Sequence, residues 1–313
     1  MSSQKTLLQL TDSNYYSLEA DRQYMSCSLF QDFLDCEARA MAKLEGRFER
    51  EESEAFLVGN YFHSFFEGKE AFEKFCTEHF DDIFKYKIDK KTEEPIITGK
   101  YAPYIKADKM IETIKNDELC MTFVEMPGEN EKIFTGTLFG IPWKAKFDKY
   151  VANGRLIIDY KTCKSIYETN YNSYTKQRET FVETYGYLMR AAVYTELEKQ
   201  NLPPDANPDN SDPQFILMCV SKEEPPDKEL VSLKHRVRYE QELEFIKERL
   251  PRMISLMNHQ QAPRKCGVCE YCRSVKKLTD IKPYYKLMPE FREAREDDFE
   301  SDFYKILEET KIP

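Results

Sequence analysis

The chain lacks any apolar run approaching the roughly 20 residues that a membrane-spanning helix needs. Its opening, MSSQKTLLQL, also lacks the charged-then-apolar order of a secretory signal, so a cytosolic protein is expected. Net positive charge is missing too. With 46 Lys and Arg against 56 Asp and Glu the formal charge is −10, which excludes attraction of the whole molecule to nucleic acid and confines any such binding to local basic clusters. There is no Walker-type phosphate loop, dinucleotide fingerprint or internal repeat. Tryptophan is reduced to one residue, but 21 Phe and 20 Tyr bring the aromatic share to 13% and exclude global disorder. Nine Cys, three of them packed within seven residues, point in a cytosolic chain to free thiols or metal ligands rather than to disulfides.

What is present reads as one elaborated domain over residues 1–282, with a Cys-rich segment at 264–273 and a charged tail or peripheral helix at 283–313. Residues 1–24 carry no strong period, although Leu7, Leu8 and Leu10 allow a short strand or a partner contact. Ser26 offers a cap, and Leu29, Phe33 and Cys36 follow at helical spacing, so a helix is expected to about Leu44, before Gly46. A second helix covers 57–67, where Gly59, His63 and Glu67 fall four apart on one face; His63 suits a satisfied core position as well as a metal ligand. Residues 81–103 are polar and lysine-rich, an expected surface excursion. Helical spacing returns at 104–119, and 121–125 and 132–139 read as strands of an antiparallel meander. The strongest helical pattern spans 177–199, with Phe181, Tyr185, Leu188 and Ala192 in one stripe. Strands are expected at 214–220 and 230–233, then a helix over 239–258 that Pro251 should kink or split.

The chemistry concentrates in residues 143–162, WKAKFDKYVANGRLIIDYKT. Alternation over 143–151, the turn Ala152-Asn153-Gly154 and the apolar Leu156-Ile157-Ile158 describe a β-hairpin. Asp159 and Lys161, two apart, share a strand face, and the hairpin returns Asp148 to the same end. A carboxylate pair beside a lysine can hold a hard divalent cation and aim an ammonium at a phosphate or an attacking water. From spacing alone, a solvated hairpin edge fits the same pattern. Three basic clusters are candidate nucleic-acid surfaces or ordinary solvated faces: Lys144, Lys146, Lys149 and Arg155; Lys85, Lys87, Lys90 and Lys91; and Arg264, Lys265, Arg273, Lys276 and Lys277.

Asp148, ten intervening residues, then Asp159-Tyr160-Lys161 resembles the core of the PD-(D/E)XK nuclease superfamily. Further matches occur in the order found in its RecB-like branch: Ser26-x-Ser28-x-x-x-x-Phe33-x-x-Cys36, Gly59-x-x-x-His63-x-x-x-Glu67, Arg190-x-x-x-Tyr194 and Cys266-x-x-Cys269-x-x-Cys272. Glu37 stands where proline often follows the first cysteine, and Arg190 where glutamine is usual. The resemblance implies an α/β fold, a central mixed β-sheet flanked by helices. It implies that His63, Asp148, Asp159 and the Tyr160 carbonyl hold Mg2+ or Mn2+, two ions in all, with Lys161 acting on water and Arg190 and Tyr194 contacting the DNA backbone. Glu67 would orient His63 or line the DNA channel. Cys36, Cys266, Cys269 and Cys272 would hold a [4Fe-4S] cluster or zinc, although the short gap before Cys272 departs from the usual iron–sulfur spacing.

The chain looks most like the RecE-like phage recombination exonucleases. That implies a metal-dependent exonuclease resecting linear double-stranded DNA ends, 5′ to 3′, for single-strand annealing. It also implies a homo-oligomeric ring, a trimer or tetramer, and a phage single-strand annealing protein as partner in a bacterial host cytoplasm. A structure-specific or restriction-type endonuclease would use the same residues, and a non-catalytic DNA-binding module would bind DNA without cutting it.

Overall fold

The structure, a computed structural model, describes residues 7–49, 52–172, 176–206, 209–278 and 284–287. The tail expected at 283–313 lies outside these apart from a short 3-10 turn at Tyr284–Leu287. In chain order the first helices are α1 (Leu18–Gln23), α2 (Cys27–Asp35), α3 (Glu37–Leu44), α4 (Glu54–Glu67), α5 (Lys69–Glu78) and α6 (Phe80–Ile83). A hairpin of β1 (Phe84–Ile88) and β2 (Pro95–Lys100) precedes α7 (Ala102–Lys115) and α8 (Glu118–Glu125). Then come β3 (Glu129–Leu138), β4 (Ile141–Val151), β5 (Leu156–Cys163), the small strands β6 (Asn170–Asn172) and β7 (Gln177–Glu179), α9 (Phe181–Thr184) and α10 (Tyr187–Gln200). The chain closes with β8 (Gln214–Ser221), β9 (Lys228–Ser232), α11 (Arg236–Met257) and α12 (Glu270–Ser274).

Five strands form one mixed sheet in the order β3-β4-β5-β8-β9. β5 is its middle strand and pairs parallel with β8, so the antiparallel meander ends there. Both faces are covered, which is why β5 and β8 read as almost continuous apolar runs. On one face Phe134, Phe147, Ile157, Phe215 and Leu217 pack with α2, α3, α10 and α11; on the other Ile158, Tyr160, Met218 and Val220 pack with α4 and α7. The α/β fold with a helix-flanked mixed sheet is the one the resemblance implies.

Four local expectations are corrected. The helix over 26–44 is two helices, because Cys36 is extended at φ −166 and ψ 107 and turns the chain between α2 and α3. Residues 121–125 are helical: the Asp117 side chain accepts the Cys120 N–H at 3.0 Å, and that cap outweighs the strand preference of Thr122 and Val124. The pattern over 177–199 contains β7 and two helices, broken at Gly186, whose φ of +66 a non-glycine residue adopts only at a cost. Pro251 does not split α11, since Leu250 and Met253 are buried on either side of it and hold both halves to the core.

Candidate active site

β4 and β5 pair only from Lys149↔Ile158 to Val151↔Leu156 and then splay apart. Beyond that fork Met25 bridges Trp143 instead, accepting the Lys144 N–H and donating to Pro142 O, both at 2.9 Å. The site lies where the strands part. Asp148 Oδ2 accepts the Tyr160 N–H at 2.7 Å, so a carboxylate takes over a donor that the ladder no longer satisfies. His63, near the end of α4, brings Nδ1 to 3.3 Å from the same oxygen. From the opposite helical layer, α10 brings Arg190 Nη1 to 3.6 Å from Asp159 Oδ1.

Lys161 occupies the centre. Its ammonium lies 2.8 Å from Asp159 Oδ2, 2.8 Å from the Tyr160 carbonyl and 3.4 Å from Asp148 Oδ2. Asp159 is 1% exposed. Neither of its oxygens has a hydrogen-bond partner; both are held by charge alone, Oδ2 by Lys161 and Oδ1 by Arg190. Two acidic side chains and a carbonyl thus converge on one cationic centre, with two buried carboxylate oxygens left unsatisfied. That donor set fits a hard divalent cation. Burial opposes the charge of Asp148, but Lys161, His63 and the Tyr160 N–H together hold its carboxyl below the usual range. Desolvation lowers His63 against the pull of Asp148, favouring the neutral imidazole that a metal requires.

The other residues singled out by the sequence divide. Glu67, a turn beyond His63, has its carboxyl pushed up by desolvation, with Asp12 and Asp148 adding to it against Lys146 and Lys74. Tyr194 is 7% exposed, stacks on Phe147 at 4.6 Å and donates its hydroxyl to Lys146 O at 3.2 Å. It forms the floor under β4, which corrects the expectation of a DNA-backbone contact: its polar atom is already spent. The basic cluster around the hairpin is corrected as well. Lys144 is buried against Asp21 at 2.7 Å, Lys149 bonds Val124 O, and Arg155 pairs with Glu198 at 2.7 Å. Alternation placed these lysines on a strand but carried no information about which face was covered. Only Lys146 stays beside the site, paired with Glu131 at 2.7 Å. Glu131 was missed because 127–130 reads as a turn. By register it stands opposite Asp148, with φ +52.

The four cysteines expected to act together do meet. The sulfurs of Cys36, Cys266, Cys269 and Cys272 all lie within 4.8 Å of one another. Cys36 and Cys272 stand 3.5 Å apart and Cys266 and Cys272 4.0 Å. Sulfurs about 2.3 Å from one tetrahedral ion stand about 3.8 Å apart, so the set fits a single metal ion. A four-iron cluster would need its ligands spread around a cube. Burial opposes the Cys266 thiolate, yet the N–H groups of Val268 and Cys269 bring that thiol down to about 7. Glu37, in the position where the resemblance expects proline, forks onto Arg252 with two bonds of 2.6 Å and accepts the Arg264 N–H at 2.8 Å. It ties the first helices to the segment that carries the other three thiols.

A fork of strands carrying acid, acid-x-Lys and a helical His defines a PD-(D/E)XK nuclease fold. The profile of a PDDEXK-like domain of unknown function (DUF3799) matches residues 26–275, and the chain belongs to that family. The chain is similar to the crystal structure of a "putative exonuclease" from Eubacterium rectale, with 30% identity, a TM-score of 0.77, and 90% of this chain and 98% of that one covered. A structure named SSO0001 aligns at 13% identity over 80% of this chain and 96% of that one, with a TM-score of 0.29, too low to carry an argument. No curated protein matches.

Proposed function

We propose that the protein is a metal-dependent DNA exonuclease that resects linear double-stranded DNA. One observation carries this reading: Asp148, Asp159 and the Tyr160 carbonyl converge on a single cationic centre, beside a half-buried His63 and with Asp159 oxygens left unsatisfied. His63, Asp148, Asp159 and Tyr160 O would hold Mg2+ or Mn2+, as two ions. Bound there, divalent cations supply charge that neutralises the scissile phosphate and acidify water. The chain's own groups do the rest. Lys161, released from its carboxylates, would orient the attacking water and offer its ammonium to the phosphate. Arg190, 3.6 Å from Asp159, presents a planar fork to a phosphate oxygen. Tyr194 fixes the height of β4 beneath both.

The same reading includes 5′ to 3′ polarity, a ring of three or four subunits around duplex DNA, and a phage single-strand annealing protein as partner. It places a single zinc ion rather than a [4Fe-4S] cluster at the four cysteines, on the strength of their 3.5 and 4.0 Å separations. The test is incubation of linear and covalently closed circular duplex with magnesium. Loss of the linear form alone supports the exonuclease. Cutting of the circle would identify an endonuclease of the same fold, and binding without cutting would leave a DNA-binding module.

A further inference from the structure

Residues 7–25 precede the family-matched segment, yet they reach the rim of the site and carry groups that the reaction above does not use. Asn14 and Tyr15 both donate their N–H to Thr11 O, and Ser17 caps α1, so the short stretch between is fixed at both ends. Tyr15 is 7% exposed, its carbonyl takes the Lys144 ammonium, and that ammonium lies 4.7 Å from its ring centroid. Tyr16, the next residue, is 73% exposed.

The Tyr16 ring is exposed but not loose. It packs edge-on against Tyr15, centroids 4.8 Å apart at 83°, and the Lys146 ammonium lies 5.6 Å from its centroid. Lys146 is itself held by Glu131 at 2.7 Å and Asp12 at 3.2 Å, and Glu131 stands opposite Asp148. Desolvation, with Glu131 next, pushes the Tyr16 hydroxyl up to about 12, and the charges of Lys146, Asp148 and Arg190 also act on it. Lys146 and Asp148 lie two apart on β4 and share a strand face, so the ring beside Lys146 stands next to the site with its outer part open to solvent. A ring held by Tyr15 and Lys146 beside the proposed phosphodiesterase centre, with no apolar partner among the described residues covering its outer part, matches the platforms on which single-strand binders stack bases.

We propose that Tyr16 is a stacking platform for the nucleobase next to the scissile phosphate, holding the frayed end of the strand over Asp148 and Asp159. The proposal rests on the nuclease reading and adds to it the recognition of a strand end. Tyr16 is thereby a substrate-binding residue contributed by a segment outside the family-matched residues.

Tyr16→Ala, Tyr16→Phe and wild type would be compared in steady-state digestion of linear duplex. Binding of a duplex carrying terminal 2-aminopurine would be followed by fluorescence in each, on a Lys161→Ala background. Tyr16→Ala is expected to raise KM about tenfold with little change in kcat and to lose the quenching of 2-aminopurine. Tyr16→Phe is expected to keep both, since the ring and not the hydroxyl stacks. With so exposed a side chain, truncation should leave the melting temperature unchanged. Cleavage by wild type with an identical KM and identical quenching in Tyr16→Ala would overturn the platform alone. Unchanged KM with loss of oligomer would overturn it too and reassign the ring to a contact between copies. If wild type cleaves no DNA, the nuclease reading falls and the platform with it.

Discussion

Lys161 acts as an internal counter-ion before it acts on anything else, because the three oxygens around its ammonium are those a metal would take. In the proposed reaction a divalent cation held by these oxygens would displace the ammonium from its carboxylates. Asp159→Asn removes one charge from the buried pair and Lys161→Ala removes the ammonium that orients the water. Each is expected to lower kcat at least about a thousandfold with the fold intact by circular dichroism; magnesium-dependent hydrolysis near wild-type rate in either would refute the assignment. Arg190→Ala is expected to cost about a hundredfold, read as turnover of linear duplex.

His63 sets a pH dependence whose direction can be worked out. Burial pushes its folded value below the ordinary imidazole value, against the pull of Asp148 and Asp159 and helped by Lys161 and Arg190. The unfolded chain therefore takes up a proton near pH ~6.5 that the folded chain refuses, and stability falls as pH drops below that value. Asp148, held low, acts the same way further down: its contribution is present above about pH 3.9 and is lost on acidification through its folded value. His63→Gln is expected to flatten the metal-free unfolding profile just below about pH 6.5; denaturant titrations that keep the wild-type slope there would show that His63 is not the group responsible.

At the scale of elements, α10 is tied to the catalytic hairpin by one buried charge network. Glu198 has a fully buried side chain and accepts Tyr150 Oη at 2.8 Å and Arg155 Nε and Nη2 at 2.9 and 2.7 Å. Alongside it, β3 meets α10 at Gly136, where a Cβ would stand 2.8 Å from Leu197 Cδ2. Arg155→Ala would leave the Glu198 charge buried and unpaired, and is expected to cost about 3–5 kcal/mol in chemical denaturation. Arg155→Met combined with Glu198→Leu should recover most of that loss. The sequence displayed the hairpin and both its acids, because alternation, turn residues and the acid-x-Lys spacing are local properties. It did not display where α2 stops or that 121–125 is helical: the first depends on Cys36 turning toward thiols 230 or more positions away, the second on one aspartate cap.

Across the whole molecule, the parts of the site arrive from distant stretches, and their order along the chain was legible while their contacts were not. Three of the four hairpin basics looked available for DNA, but the N-terminal segment, α8 and α10 take up Lys144, Lys149 and Arg155. An assembly that encircles duplex must then draw positive charge from elsewhere, and two exposed groups offer it among the described residues: Lys85, Lys87, Lys90 and Lys91 on the β1–β2 hairpin, and Arg264, Lys265, Arg273, Lys276 and Lys277 around the thiols. Sedimentation at micromolar concentration is expected to give three or four subunits, and a monomer with distributive digestion would count against the ring.

The thiol set is expected to bind one zinc per chain and no iron, measured by elemental analysis, with Cys36→Ala losing both metal and thermal stability. Its ligands span 236 positions of sequence, so a bound ion would turn most of the polypeptide into a closed loop with two short tails. Loop entropy grows only with the logarithm of length, which makes such a clasp worth on the order of 5 kcal/mol if it behaves as a covalent crosslink does. The strand fork, the site hairpin and every helix from α3 to α11 lie inside the loop, whereas α1, α2 and Tyr16 lie on the N-terminal side of it. Chelation should therefore loosen the entire body in one cooperative step.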